Sequence, residues 1–238
     1  MEKTAIGYTA ERIDALLGSG RLERLGMGSR RACYSLPGGR LCVKCYRSDA
    51  EIAEGKHPGM QPFKPLPASV VREIHRFRFD RTRNTCCQEY EYWKKLRRRL
   101  PHELADVFPA TMETLLLPSR GWCVVEEIFS NADGTPANLF FREFRQASSS
   151  LRAALSAALD DLVNDLVRFA VKVYDPQNLL AQKRADGSFS IRIADFEPTS
   201  RTFIDIDGLL PAIVRMKLRR RFTRYRRMFG IYGEATPK

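Results

Sequence analysis

The chain has 238 residues, of which 44% are hydrophobic, enough to bury a core in one large domain or in two small lobes sharing a cleft. That apolar share excludes an intrinsically disordered chain, and no run approaches the roughly 18–20 apolar residues that a membrane span needs. The formal charge of +12 at pH 7 points to polyanionic partners: nucleic acid, anionic lipid headgroups or phosphorylated substrates.

The first residues, "MEKTAIGYTAERID", lack the basic-then-apolar layout of a secretion signal, so a cytoplasmic location is expected. "YTAERIDALLGSG" has a Thr9 cap, a short apolar face and a glycine stop, which predicts one short helix in an extension over 1–20. Strand signals follow. "RLERLGMGSRRACYSLPGGRLCVKCY" parses as a strand to Leu25, a Gly26/Gly28 turn, a strand around Ala32–Ser35, a "PGG" turn and a strand over Leu41–Tyr46.

Residues 47–70 are rich in Pro, Gly and charge and read as a long loop, part of an insertion over 47–84. "TCCQEYEYWKKLRRRL" predicts a helix over Thr85–Leu100, stopped by Pro101. "ATMETLLLP" and "GWCVVEEIF" read as two strands joined by a "PSRG" turn. Further on, "SSSLRAALSAALDDLVNDLVRFAVKV" has a serine cap and the apolar stripe of a core-facing helix. A hairpin from "NLLAQ" to "FSIRIADF" and a basic helical tail complete the chain. The expected fold class is α+β, with a β-rich N-terminal lobe over 21–130 and a helical C-terminal lobe over 131–238.

The six cysteines are Cys33, Cys42, Cys45, Cys86, Cys87 and Cys123. They form no disulfide framework, and "CVKC" lies in a strand where residues three apart point to opposite faces. Free, buried thiols are expected. The tail over 215–227 holds eight Lys and Arg without an acid, interleaved with Phe222 and Tyr225. It reads as the solvated face of a helix closing a core, as a stacking surface for single-stranded nucleic acid, or as a dock for anionic lipid or a lipopolysaccharide precursor.

The chemistry-bearing residues are Gly26 and Gly28 at a strand corner, Lys44 between apolar strand residues, and Glu89 or Glu91 on the following helix. A glycine corner lets backbone N–H groups approach phosphate oxygens, but the third glycine of G-x-G-x-x-G is replaced by Arg31. A strand lysine needs an acid and a phosphate to offset its desolvation. Glu89 is preferred because it shares a helix face with Tyr92, Trp93 and Leu96. Asn178 precedes, and Asp195 follows, the hairpin of the C-terminal half.

Together "LGMGSRRACY", "CVKCY", "EYEYWKKLRRRL", "TMET", "ADGTPA" and "DPQNLL" resemble the YrbL family, bacterial PhoP regulatory network proteins, over about Leu25 to Arg227. The resemblance implies a two-lobed protein-kinase-like fold with a reduced helical C-lobe, and ATP and Mg2+ as cofactors. It implies nucleotide-binding roles for Gly26, Gly28, Lys44, Glu89, Glu126 and Glu127, and metal-binding roles for Asn178 and Asp195. Glu197 replaces the glycine of D-F-G.

Five residues before Asn178, where the kinase base would stand, the chain has Val173. Asp175 becomes the candidate for accepting a proton or binding metal, beside Lys44 as the other catalytic candidate. Four functions follow as expectations: an atypical ATP-dependent phosphotransferase acting on an anionic acceptor, a pseudokinase that binds without catalysis, a nucleotidyl transferase, or a nucleic-acid or anionic-lipid binder acting through the basic tail. The last would place the chain peripherally at the inner membrane face.

Overall fold

The computed structural model describes residues 7–54, 65–171, 176–195 and 211–231. The chain is α+β, with a β-sheet N-terminal region and helices toward the C-terminus. Its described residues fall into two compact units. One comprises residues up to Glu91 together with Ala110–Ile128; the other comprises Tyr92–Pro109 and the chain from Phe129 onward.

The first unit is an antiparallel sheet of β1 (Arg24–Met27), β2 (Arg31–Ser35), β3 (Leu41–Tyr46), β4 (Met112–Leu117) and β5 (Gly121–Glu127), in the order β1-β2-β3-β5-β4. Helix α1 (Ala10–Gly18) is capped by Thr9, whose hydroxyl accepts from the Arg12 N–H. Alternation along the strands sorts their side chains. Val43, Cys45, Cys123, Val125 and Leu117 pack with Ile13 and Leu17 of α1 in one core cluster. Cys42, Lys44, Val124 and Glu126 occupy the alternate positions of the paired strands, on the opposite face.

The stretch expected to be a loop from residue 47 contains a helix. Ser48 and Glu51 form a reciprocal capping box that starts α2 (Asp49–Ala53), a signal present in the sequence as S-x-x-E and outweighed by the neighbouring Pro and Gly. Helix α3 (Ala68–Phe77) places Ile74 against Tyr46 and Leu66. The β4–β5 turn needs its glycine: Gly121 has φ +74°, and a Cβ there would stand 2.1 Å from the Arg78 carbonyl oxygen. Helix α4 (Thr85–Arg99) follows, and its first turns belong to this unit.

The second unit contains α5 (His102–Ala105), the antiparallel sheet β6 (Asn138–Leu139), β7 (Leu179–Lys183) and β8 (Phe189–Ile193), and three longer helices. These are α6 (Phe140–Gln146), α7 (Ser149–Arg168) and α8 (Pro211–Phe229). Ser148 caps α7, which buries Leu155, Leu159, Leu162 and Leu166. That is the apolar stripe at helical spacing expected of a core-facing helix. Helix α6 was not legible as a helix, because its seven residues carry three phenylalanines and only two turns of periodicity.

Helix α8 buries Val214, Leu218, Phe222 and Tyr225 and turns Lys217, Arg219, Arg220, Arg224 and Arg227 outward. Arg215 donates to the carbonyls of Val167 and Arg168, closing the C-terminal end of α7 with positive charge. No helix among the described residues is long and apolar enough to cross a membrane.

Candidate functional site

Lys44 sits mid-strand on β3, opposite Cys33 of β2 and Val124 of β5. Because side chains alternate, the face that carries Lys44 also carries Arg31 and Cys33 from β2 and Glu126 from β5. The first turns of α4 cover this face: the Cys86 thiol donates to the Lys44 carbonyl, and the Thr85 N–H donates to the Tyr46 hydroxyl. Asn84 holds the start of that helix, its side-chain oxygen accepting from the Cys86 N–H at 2.9 Å.

This packing puts four charged groups out of water. Lys44 and Arg31 are each 9% exposed, Glu126 is 3% exposed and Glu89 is 0% exposed. Lys44 Nζ lies 2.5 Å from Glu126 Oε1 and 3.5 Å from Glu89 Oε1. Arg31 Nη1 lies 2.5 Å from Glu89 Oε2. Each of these cations thus meets a buried carboxylate, which offsets the cost of holding charge in a poorly solvated region.

Of the two helical acids, Glu89 meets Lys44 and Glu91 is exposed, in line with the preference for Glu89. Arg31 stands where a third glycine would complete G-x-G-x-x-G, and its side chain reaches Glu89 instead. Its membership of the site was readable only from strand parity, since Arg31 and Cys33 share a face and Cys33 pairs with Lys44.

Burial dominates the electrostatics of Glu126. Desolvation pushes its carboxyl up to about 7 against the opposing pull of Lys44, and Glu89 pushes in the same direction as burial. Its Oε2 atom has no hydrogen-bond partner among the described residues. The neighbouring Cys42 thiol, 4.0 Å from Glu126 Oε1, is raised by its contact with Cys33 and by burial. Burial pushes Cys45 up to about 12. All six cysteines are free, and Cys42 and Cys45 lie on opposite sheet faces. "CVKC" is therefore a strand segment with protonated thiols.

The glycine corner is open. Gly26 lies in β1 opposite Cys33, and an added Cβ would meet nothing within 4 Å; at Gly28 the nearest atom is the Arg31 carbonyl oxygen at 3.7 Å. Neither residue has a positive φ. The Gly28 N–H donates to Arg31 O at 2.8 Å and closes the hairpin, so this donor is already used. Glu127 is also committed: its Oε2 accepts from the Ala110 N–H at 2.8 Å.

In the second unit, Leu179 pairs with Ile193, and the Ala194 N–H donates to the Asn178 carbonyl at 3.3 Å. The β7–β8 hairpin thereby brings the backbones of Asn178 and Asp195 to one end. Among the described residues there is no cluster of three or more His, Cys, Asp and Glu able to hold a metal ion. An amide and a carboxylate supply hard oxygen donors of the kind suited to Mg2+, which retains waters and phosphate oxygens in its shell. Val173, Asp175 and Glu197 lie outside the described residues.

Two aromatics of the basic tail are core residues. Phe222 and Tyr225 are 1% and 2% exposed, and Phe229 stacks on Phe141 at 5.1 Å between ring centroids. Phe222 and Tyr225 are thereby withdrawn from any base-stacking role, and the outward face of α8 keeps its cations. Neither the family models nor the curated proteins compared with the chain give a match.

Proposed function

We propose that this chain is an atypical ATP-dependent phosphotransferase with the protein-kinase-like fold of the YrbL family. The observation that carries the reading is the buried strand lysine Lys44 paired with the helical acid Glu89. In kinases a third-strand lysine paired with a helix glutamate addresses the α- and β-phosphates of ATP. Here Arg31 anchors Glu89 from the other side, which fixes the carboxylate toward Lys44.

Asn178 and Asp195 are the residues that would hold Mg2+. The ion would supply charge neutralisation on the phosphates. Asp175, three residues before Asn178, is the group proposed to accept the acceptor's proton, since Val173 offers no base. Phosphoryl transfer depends mainly on positioning and charge, so a displaced base is compatible with catalysis. The exposed cations of α8 favour an anionic acceptor, such as a lipid headgroup or lipopolysaccharide precursor, by raising its local concentration.

Thermal unfolding with millimolar Mg·ATP tests the reading, because a ligand of the folded state raises its stability. The wild-type chain should shift upward, and Lys44→Ala and Asp195→Ala should lose most of the shift. A wild-type chain that does not respond would overturn the nucleotide-based reading.

A second reading, a pseudokinase that binds without transfer, is favoured by one observation: Lys44 is closer to Glu126 than to Glu89. Phosphate release or transfer assayed with Asp175→Ala separates the two. Nucleotide binding with no turnover in the wild-type chain would select the pseudokinase.

A further inference from the structure

Lys44 contacts the carboxylates of Glu89 and Glu126, and the two are held differently. Glu89 Oε2 has its own cation in Arg31 at 2.5 Å, whereas Glu126 has its short ion pair with Lys44. We propose that Glu126 is a built-in anionic competitor for Lys44, and that a phosphate-bearing nucleotide binds there as Glu126 gives up the lysine and takes up a proton. The proposal rests on the reading of Lys44 as the phosphate-binding lysine.

The surroundings of Glu126 leave few alternatives. From β3 it faces Lys44 and the Cys42 thiol; from β2, Arg31 and Cys33 contribute; from α4, Glu89; and on β4 its register partner is the apolar Met112. The positive charge in this set resides on Lys44 and Arg31, and Arg31 is engaged with Glu89. Drawing Lys44 onto a phosphate would leave Glu126 as a buried carboxylate with a second anion beside it.

Such a charge is expensive out of water, and neutralisation is the usual escape. Burial has already brought the Glu126 carboxyl to about 7, so protonation at neutral pH needs little further cost. Oε2 accepts no hydrogen bond among the described residues, so its lone pairs are open to the proton. A buffer acid gives up that proton through bulk water, and the carboxylate becomes a neutral carboxyl as the buffer becomes its conjugate base.

Calorimetric titration of the wild-type chain with Mg·ATP, in buffers of different ionisation enthalpy, counts the protons taken up. The expected result is close to one proton at pH 8 and close to none at pH 6, with affinity falling about tenfold per pH unit above 7.5. Glu126→Gln, which mimics the neutral carboxyl, should abolish the uptake and tighten binding at pH 8 by about tenfold. The wild-type proton count stands even if that variant folds poorly.

Nucleotide binding that needs Lys44 but takes up no proton at pH 8 would overturn this proposal and leave the phosphate-binding reading intact. Failure of the wild-type chain to bind Mg·ATP at either pH would remove that reading, and the proposal with it.

Discussion

The ammonium of Lys44 reaches the carboxylate of Glu126 along a diagonal of the sheet. In the register of β3 and β5, Lys44 faces Val124 and Glu126 faces Cys42, yet Nζ and Oε1 are 2.5 Å apart. A long flexible side chain can span such a diagonal, and burial on both partners makes the contact consequential. Each charge in the site is consequently tied to the others.

Removing Glu89 should therefore be costly. Glu89→Ala takes from Arg31 and Lys44 a buried carboxylate that both contact, and loss of one member of a buried ion pair typically costs about 3–5 kcal/mol. Urea unfolding is expected to show this loss, and the double variant Arg31→Met/Glu89→Ala should recover part of it by removing the buried cation that faced Glu89. Equal stability of the single and double variants would mean that Arg31 draws nothing from Glu89.

The raised Glu126 carboxyl predicts a pH dependence with a definite sign. Its folded-state value of about 7 exceeds the ordinary 4.5, so the folded chain binds more protons than the unfolded chain between those values. Its contribution to stability is present below the unfolded value and is lost as pH rises toward 7. The loss should be on the order of 2 kcal/mol, read as the difference between the wild-type and Glu126→Gln unfolding curves from pH 5 to 8. Parallel curves would place the Glu126 titration elsewhere.

The open space around the glycine corner separates folding from binding. Gly26→Ala and Gly28→Ala meet no steric obstacle in the protein, so each should change stability by less than about 1 kcal/mol. If the corner approaches phosphate, the same substitutions should weaken Mg·ATP binding measured by calorimetry. Unaltered binding in both variants would leave this corner an ordinary hairpin.

Helix α7 ends on a strained residue. Ala170 has φ +51°, and its N–H and that of Val171 close the helix on the Val167 and Leu166 carbonyls. This left-handed position favours glycine, so Ala170→Gly should stabilise the chain by about 1 kcal/mol in thermal or denaturant unfolding. A destabilised variant would indicate that the methyl group makes a contact worth more than the backbone strain.

Local chemistry made much of the fold legible. The Thr9 and Ser148 caps, the span of β3 and the apolar stripe of α7 depend on neighbours within a few residues, where sequence patterns act directly. The capping box of Ser48 and Glu51 is equally local, but it lies beside a Pro- and Gly-rich stretch that masks it. Lys44 was legible as a charge between apolar strand residues, and Glu89 through the helix face it shares with Tyr92, Trp93 and Leu96. Arg31 was legible only through strand parity, and the raised carboxyl of Glu126 was not legible.

By itself, then, the sequence determined most of the elements, the unusual charge, the order of the motifs and the place of Asp175 three residues before Asn178. The tertiary structure alone decided which charges share a burial site: that Arg31 holds Glu89, that Glu126 rivals it for Lys44, and that Phe222 and Tyr225 serve the core. The reason is physical. Caps and amphipathic stripes are set by contacts a few residues apart, whereas the pairing and protonation of a buried group depend on strand register and on the water that distant segments exclude.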